Sequence, residues 1–171
     1  MEVKMNIKIT EIVPHPDYLE MLFIHRSKVS NVFKDVLGLY EINHVAISHI
    51  DKNHQLLTLS STPSLEFNLF SGSLWRYDLT YQPSWYNLCA PSSWQSLYTP
   101  ERYDELYYIK QVKYHYPLGI SLPIKLPNSY VIYSIASQKM GHKTQELFEN
   151  NHELFYKIGH YCSNALLPLF C

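Results

Sequence analysis

The segment 118–137 constrains the fold of this chain most strongly, because it contains two apolar runs separated by a short polar connector. Both runs are rich in β-branched and aromatic residues, and the connector contains Pro127 and Asn128, which favour a tight turn. In residues 130–135 both alternate sets of side chains are largely apolar, so we predict a strand that is covered on both faces. Pro123 cannot donate a ladder hydrogen bond, and the first strand is therefore expected near an edge of the sheet.

A second hairpin is predicted over residues 44–60, where two alternating runs flank the polar turn 51–54. Upstream of it, apolar residues between positions 17 and 37 recur with near-helical spacing, as one long helix or as two short ones. Asp17 stands at the N-cap position of this helical region, and Gly38 is expected to end it.

The remaining helices are predicted from their start and stop residues. Pro63 opens a short helix over residues 64–70, and Pro100 opens a helix that Pro117 ends. Thr144 is expected to cap a single final helix with a continuous apolar face. The helix that follows Pro100 is predicted to bury a stripe of three residues, Leu106, Ile109 and Val112. Amphipathic helices around two hairpins predict an α+β fold, an α-β-α sandwich with a central antiparallel sheet.

Between residues 74 and 98 the periodic pattern disappears while the aromatic content rises. Pro83 and Pro91 interrupt this segment, and long irregular segments in compact domains are usually either functional or disordered. The segment is too aromatic for disorder, so we predict that it forms the wall or lid of a pocket. Its aromatic residues are Trp75, Tyr77, Tyr81, Trp85, Tyr86, Trp94 and Tyr98.

The bulk composition is that of one globular domain and excludes several classes of protein. The 171 residues are 46% hydrophobic, enough for a substantial core, and we expect residues 1–171 to form a single domain. A net charge of -1, from 14 basic and 15 acidic residues, provides no electrostatic drive toward nucleic acid or anionic membranes. Three cysteines without a pairing motif, no signal-peptide pattern and no long apolar run predict a cytoplasmic protein.

The sequence offers little support for catalysis or for metal binding. Nine histidines are present, but His44 and His49 are five residues apart on a predicted strand and therefore face opposite sides. No H-E-x-x-H, paired-cysteine or G-x-S-x-G pattern occurs, and 5 glycines are too few for close phosphate cradling. Cys89, which precedes Ala90 and Pro91, is a candidate reactive thiol, but a cysteine packed as a small buried hydrophobe is far commoner and is expected here. We predict no catalytic residue, no metal and no cofactor.

The first hairpin considered above also carries a family resemblance. The run Gly-Ile-Ser-Leu-Pro-Ile at residues 119–124, a short turn and an apolar strand resemble a hairpin of the LuxR-type quorum-sensing regulators. In that family the pattern G-[IV]-[ST]-[IVL]-P-[IVL] belongs to the ligand-binding domain, and Asp78 and Trp94 follow in the expected order upstream. The resemblance implies a PAS/GAF-like autoinducer-binding sandwich, in which a small, largely apolar signal molecule lies between sheet and helices.

The resemblance also implies which residues contact the ligand. It makes Asp78 the acceptor for a ligand amide, the Trp94 indole a donor to the ligand head group, and the Ser134 hydroxyl a pocket-facing group. A buried polar group of this kind that is left without a partner destabilises the complex by about 1–3 kcal/mol. Without the resemblance, the three would be interpreted as an exposed loop acid, a core aromatic and a small strand residue. Further ligand contacts are expected from Phe70, Trp75 and Tyr77.

Three positions depart from the family pattern. Family members that bind acyl-homoserine lactones usually carry a W-x-x-x-Y pair, and this chain has Glu66 and Phe70 at those positions. Phe70 lacks the phenol that would bond an acyl carbonyl, and Glu66 places a charge where the family has an indole. Leu79 follows Asp78 where the family commonly has proline. The fold is therefore better supported than an acyl-homoserine-lactone-like ligand.

Three functional hypotheses follow from these observations. The first is a small-molecule-sensing regulatory domain that is part of, or a partner to, a transcriptional regulator. The second is a ligand-free interaction module of the same fold, with its core filled by its own aromatic side chains. The third is a small hydrolase.

The expected partners follow from the first hypothesis. LuxR-type regulators carry a helix-turn-helix module after the sensor domain, and this chain ends at Cys171 without one, so we expect no direct contact with nucleic acid. We also expect no membrane association. A homodimer, or pairing with a related regulator, is predicted through the first or last helix, because Leu167, Leu169 and Phe170 would be an unusual apolar patch in water.

Overall fold

The computed structural model describes residues 12–170, which build one six-stranded sheet with helices on both faces. The order of the strands across the sheet is β1-β3-β2-β6-β5-β4. The four long strands pair antiparallel, and the two-residue strand β1 adds a parallel edge beside β3. The strands are β1 (Val13–Pro14), β2 (His44–Ile50), β3 (Gln55–Ser60), β4 (Ser92–Ser93), β5 (Leu118–Lys125) and β6 (Tyr130–Ser137).

Both predicted hairpins are confirmed and lie in the main sheet. Strands β2 and β3 form one, β5 and β6 form the other, and β6 pairs with β2 to join the two. Strand β6 is therefore central and covered on both faces, as its two apolar sets predict. Pro123 lies in β5, which has only the two-residue strand β4 on its outer side, so the missing donor interrupts no ladder there.

Within residues 12–170, seven α-helices cover the sheet, and several of them are shorter than the sequence predicts. They are α1 (Tyr18–Phe23), α2 (Arg26–Phe33), α3 (Pro63–Ser71), α4 (Pro83–Tyr86), α5 (Tyr103–Tyr107), α6 (His142–Asn150) and α7 (His152–Leu166). The region 17–37 forms two short helices, and the second ends at Phe33, before the predicted stop at Gly38. The prediction of one final helix capped by Thr144 is wrong: α6 begins at His142, and Asn151, with φ −125° and ψ 43°, separates it from α7.

The helix that follows Pro100 differs from the prediction in its geometry. After α5 the chain continues as a π-helix from Tyr108 to Lys113, in which hydrogen bonds run from residue i to i+5. Leu106 is buried as predicted, but Val112 is 45% exposed, so its assignment to the buried stripe is wrong. The wider turn instead buries Lys110 and Gln111.

The two faces of the sheet differ in chemistry. One face, called the aliphatic face below, packs against α2, α6 and α7. Large apolar side chains from all four long strands form it: Val45, Ile47, Leu57, Leu59, Ile120, Leu122, Val131, Tyr133 and Ile135. Phe33, Phe155, Cys162 and Leu166 are among the helix residues that complete this core.

The opposite face, called the hydroxyl face, carries small and polar side chains in its middle. Its residues include Ser60, Ala46, Ser134 and Ser121, which are neighbours in one row across β3, β2, β6 and β5. A second row pairs Ser48 with Thr58, and their hydroxyls share a hydrogen bond of 2.9 Å. Short side chains leave space above the strands, and α3, the segment 74–98 and the α5–π-helix unit fill it.

The C-terminal tail that motivated the dimer prediction is mostly packed within the chain. Leu169 and Phe170 pack against the aliphatic core, and the Phe170 ring lies 5.5 Å from the His49 ring. Leu167 remains exposed. Across residues 12–170 no helix has both the length and the apolar character needed to span a bilayer.

Candidate ligand-binding site

The irregular segment 74–98 folds back on itself above the hydroxyl face. Short 3-10 turns and the single-turn helix α4 make up most of it. An isolated antiparallel bridge joins Asp78 to Tyr98 and so brings the two ends of the segment together. The predicted pocket wall is therefore a layer of buried aromatic side chains on the sheet.

Asp78 lies at the centre of this layer and is fully buried. Its Oδ1 accepts a hydrogen bond of 3.0 Å from the backbone N–H of Thr80, which fixes the carboxylate at the start of a 3-10 turn. Its Oδ2 accepts a hydrogen bond of 2.9 Å from the ammonium group of Lys110. Asp78 is therefore not the exposed loop acid of the alternative interpretation, and an ammonium group of the chain itself takes the position expected for a ligand donor.

Trp94 lies directly above the sheet, against the backbone of Gly119. A Cβ atom added at Gly119 would lie 2.1 Å from Trp94 Cδ2, so only glycine allows the indole to approach this closely. The indole Nε1–H donates a hydrogen bond of 3.0 Å to Ser134 Oγ on the central strand. The structure thus brings Trp94 and Ser134 together, and Ser134 accepts the hydrogen bond that the resemblance assigns to a ligand.

Lys110 connects these groups and was missed as a site residue from the sequence. Its Nζ is 2.9 Å from Asp78 Oδ2, 4.1 Å from the centroid of the Trp94 ring and 5.5 Å from that of the Tyr98 ring. The side chain is buried, which is rare for a lysine unless the charge is paired. Its position four residues after Leu106 is the one sequence signal that places it on the buried face.

A second buried acid, Glu66, lies beside this group and is the residue that departs from the family pattern. Burial raises the pKa of Glu66 to about 7, while the positive charge of Lys110 and a hydrogen bond of 3.2 Å from Ser60 Oγ act in the opposite direction. Its Oε1 is 3.6 Å from His44 Nε2, too long for a hydrogen bond. Burial and the nearby Lys110 charge lower the pKa of His44 to about 3, so this imidazole is neutral at physiological pH.

Two polar atoms at the edge of this group have no hydrogen-bond partner among the described residues. They are Nε2 of His44 and the hydroxyl oxygen of Tyr98, both in buried side chains. Burial also raises the pKa of Tyr98 well above its ordinary value, so the phenol keeps its proton. The site therefore retains hydrogen-bonding capacity that the described residues do not use.

Of the other predicted ligand contacts, Phe70 and Trp75 lie in a neighbouring aromatic cluster on the same face of the sheet. Both rings pack around Tyr81, with ring centroids 6.0 Å and 6.4 Å from it. Tyr77 is half-buried, and the Arg102 guanidinium lies 5.2 Å from its ring centroid. These three residues lie outside the polar centre, which consists of Asp78, Trp94 and Ser134.

Outside the site, the structure bears on the histidine and cysteine predictions. His44 and His49 lie on opposite faces of the sheet, as predicted. Cys89 is exposed, so the expectation that it packs as a buried hydrophobe is wrong; it adopts a positive φ of 52° on the surface after α4. Within residues 12–170, no group of three or more potential ligand side chains is arranged to hold a metal ion.

Asp78, Trp94, Ser134 and Lys110 are packed against one another in this conformation. They line none of four cavities that lie among the described residues. One of the four, of about 270 Å³, lies on the aliphatic face between the sheet and α7.

Comparisons with known proteins support the fold. The sequence matches no family model and no curated protein. Thirteen chains of solved structures match, among them the crystal structure of the VqsR LBD domain from Pseudomonas aeruginosa, with a TM-score of 0.54 and 15% identity. That match covers 87% of this chain and 96% of the VqsR chain. The fold of this protein therefore resembles the ligand-binding domain of a LuxR-type regulator.

Proposed function

We propose that this chain is a small-molecule-sensing domain of a regulatory protein, and that its ligand binds between the hydroxyl face and the segment 74–98. The observation that carries the proposal is the convergence of Asp78, Trp94 and Ser134 on one buried place. These residues are distant in sequence, and they meet where the resemblance expects a ligand. The likeness of the fold to a regulator's ligand-binding domain supports the same interpretation.

Energetics also favour a site over a structural core. A buried ion pair adds little net stability, since the desolvation of both charges offsets their attraction. The group here adds a second buried acid, Glu66, and two buried polar atoms that have no partner within residues 12–170. Replacing a buried ion pair by apolar side chains of the same volume is often neutral or stabilising, so stability alone does not explain the group. Function is the simplest reason for a chain to keep this group.

The second candidate is the ligand-free interaction module, and one observation favours it specifically. Lys110 and Ser134 already occupy the hydrogen-bonding positions of Asp78 and Trp94 that a ligand would use. In that case the protein would act through a surface, as a permanently filled relative of the sensors. The two candidates differ in whether a small molecule changes the properties of the purified protein.

Native mass spectrometry of the purified wild-type protein, followed by thermal unfolding with a panel of small molecules, separates the two. The panel contains amines, alcohols and acyl-homoserine lactones with matched chain lengths. The sensor proposal expects a bound mass or a saturable rise in Tm from at least one class. A protein that shows neither, with all classes tested to millimolar concentration, would be the interaction module.

Two variants link such a ligand to the site. Trp94→Phe keeps most of the apolar bulk but removes the indole donor, and we expect a loss of about 1–3 kcal/mol in binding, or roughly 5- to 150-fold in affinity. Trp85→Phe is the matched control, because it also removes an indole donor. Trp85 lies in the neighbouring aromatic cluster, and its indole donates a hydrogen bond to Ser92. Equal loss of affinity in both variants would contradict this location of the site.

A further inference from the structure

The surroundings of the Lys110 ammonium are those of a cation-binding cage. A carboxylate oxygen of Asp78 accepts one of its three N–H groups at 2.9 Å. The face of the Trp94 ring lies 4.1 Å away, and the Tyr98 ring lies 5.5 Å away, both within the range of cation–π attraction. Charge-assisted hydrogen bonds and aromatic faces together are the chemistry by which proteins recognise ammonium groups.

We propose that this cage is selective for a primary ammonium group, and that the ligand sensed by the domain is a small amine with an apolar body that takes the place of Lys110. This inference rests on the proposed sensing function and names the chemical class of its ligand. In the described conformation Lys110 is the occupant, so the chain supplies its own competing cation.

Charge balance is the main argument for a cationic ligand. Among residues 12–170, Lys110 is the one buried cation, and the buried acids Asp78 and Glu66 lie near it. If a neutral molecule displaced Lys110, the buried Asp78 carboxylate would keep only its backbone partner and lose its counter-charge. An ammonium group carried by the ligand restores the same charge at the same place. Neutral lactones and amides do not.

The unused polar atoms add a second, independent observation. The hydroxyl oxygen of Tyr98 and Nε2 of His44 are buried beside the cage and have no partner within residues 12–170. The His44 ring also lies 5.9 Å from the Trp94 ring, next to the cage wall. A ligand larger than an ammonium group can therefore form hydrogen bonds that the Lys110 side chain, which has only an ammonium head, leaves unmade.

The element that carries Lys110 is suited to its release. Lys110 lies in the π-helix Tyr108–Lys113. Helical turns of this type are rare in proteins, and those that occur are frequently found at functional sites. Tyr108, Val112 and Lys113 of the same segment are exposed, so few contacts hold its outer side. Withdrawal of Lys110 would change the surface of this segment, which is a means of transmitting the bound state.

Chemical rescue of Lys110→Ala tests the cage directly. The substitution removes a propylammonium fragment, so n-propylammonium chloride is the matched probe, with 1-propanol as the neutral probe and sodium chloride as the salt control. We expect a saturable rise in the Tm of the variant with propylammonium, at a half-saturating concentration about tenfold or more below that for 1-propanol. Lys113→Ala, which removes an exposed lysine of the same π-helix, should show no saturable response.

An equal response to propylammonium and 1-propanol, or no response in a folded Lys110→Ala protein, would overturn the cage. Should Lys110→Ala not fold alone, the readout becomes the yield of folded protein on refolding with each probe. The same preference for propylammonium supports the proposal there, and its absence overturns it.

The wild-type protein separates this inference from the proposed function. We expect n-hexylammonium to shift the Trp94 indole N–H resonance in NMR spectra more strongly than 1-hexanol or hexanoyl-homoserine lactone at equal concentration. Binding of the lactone without binding of the amine would support sensing and overturn the amine class. Rescue of Lys110→Ala, with no small molecule bound by the wild type, would support the cage and overturn the sensing.

Discussion

The two faces of the sheet show how one set of strands can serve stability on one side and recognition on the other. On β6 the neighbours Tyr133 and Ser134 point to opposite faces. Tyr133 packs into an apolar core with α7. Ser134 instead accepts a hydrogen bond from Trp94, whose ring contacts the buried ammonium group of Lys110. The aliphatic face gains its stability from burial of apolar area. The hydroxyl face depends on the pairing of polar and charged groups. The two faces should therefore respond differently to the same type of substitution.

The largest expected effect comes from breaking the Lys110–Asp78 pair. Lys110→Met leaves the buried carboxylate of Asp78 without its counter-charge, and we expect a loss of about 3–5 kcal/mol in the free energy of unfolding. Adding Asp78→Asn removes the unpaired charge, so the double variant should lose clearly less than the sum of the two single variants. Denaturant unfolding of the three variants measures this coupling.

Phe155→Ala on the aliphatic face is the matched control for this cycle. Phe155 is fully buried, and its loss should also amount to about 3–5 kcal/mol, because a cavity is left behind. Combined with Asp78→Asn it should be additive to within about 0.5 kcal/mol, since the sites lie on opposite faces. Additive behaviour of the Lys110 and Asp78 substitutions would contradict a pairing-dependent hydroxyl face.

The next largest expected effect is a pH dependence of stability that comes from buried ionisable groups on the hydroxyl face. The pKa of Glu66 is raised from 4.5 to about 7 in the folded protein, so between these values the folded state binds more protons than the unfolded chain. Taken by itself, Glu66 therefore lowers stability by about 3 kcal/mol as the pH rises from 4.5 to 7. His44, whose pKa is lowered from 6.5 to about 3, acts oppositely, because it lowers stability as the pH falls from 6.5 toward 3. Between pH 4.5 and 6.5 the two effects offset each other in the wild type.

Glu66→Gln isolates the first of these contributions. The difference in unfolding free energy between Glu66→Gln and wild type should shift by about 3 kcal/mol in favour of the variant between pH 4.5 and pH 8. Glu153→Gln, at an exposed position of α7, should show no such shift. A flat difference for Glu66→Gln, measured by urea unfolding at each pH, would mean that the carboxyl is not desolvated.

Replacing a glycine on each face of the sheet tests steric effects, which are expected to be smaller than the effects above. Gly119→Ala would place Cβ 2.1 Å from the Trp94 ring, and Gly159→Ala would place it 2.1 Å from the Tyr133 ring. We expect each to lose about 1–3 kcal/mol through overpacking, and Gly141→Ala, with nothing within 4 Å, to lose less than about 0.5 kcal/mol. Only Gly119→Ala should also shift the Trp94 indole N–H resonance. A shift of that resonance in Gly159→Ala would show that the faces are coupled.

The smallest effect distinguishes neighbouring residues of the central strand. Ser134→Ala leaves the buried indole N–H of Trp94 without its acceptor, so we expect a loss of about 1–2 kcal/mol. Tyr133→Phe removes a hydroxyl that shares a 2.9 Å hydrogen bond with the exposed residue His160, where water can substitute, and should lose less than about 1 kcal/mol. Thermal unfolding of both proteins measures the difference, and the reverse order would contradict the contrast between the faces.

Much of the fold could be predicted from the sequence because strands leave a local signal. Alternation and turn residues identified both hairpins, and the doubly apolar pattern of residues 130–135 identified the central strand. Helix ends were less predictable. Neither the break at Asn151 nor the early end of α2 at Phe33 is marked by a glycine or proline in the sequence.

The candidate site was predicted in part. Asp78, Trp94 and Ser134 were named from a resemblance of order and spacing, and the structure places them together. Lys110 was not named, because a lysine within an amphipathic pattern is expected to be solvated. No local sequence rule predicts the π-helix that buries it. Glu66 was recognised as a departure from the family, but its closeness to His44 and Lys110 was not.

The sequence by itself determined the four long strands, their pairing within hairpins and the presence of an aromatic layer between residues 74 and 98. These depend on interactions between residues close along the chain, whose periodicity is visible in the order of side chains. Only the tertiary structure decided which charge meets which. Asp78 and Lys110 are 32 residues apart. The energy of their contact depends on burial by the aromatic layer, which forms only when the chain folds. For that reason the occupant of the site became visible only after the chain had folded.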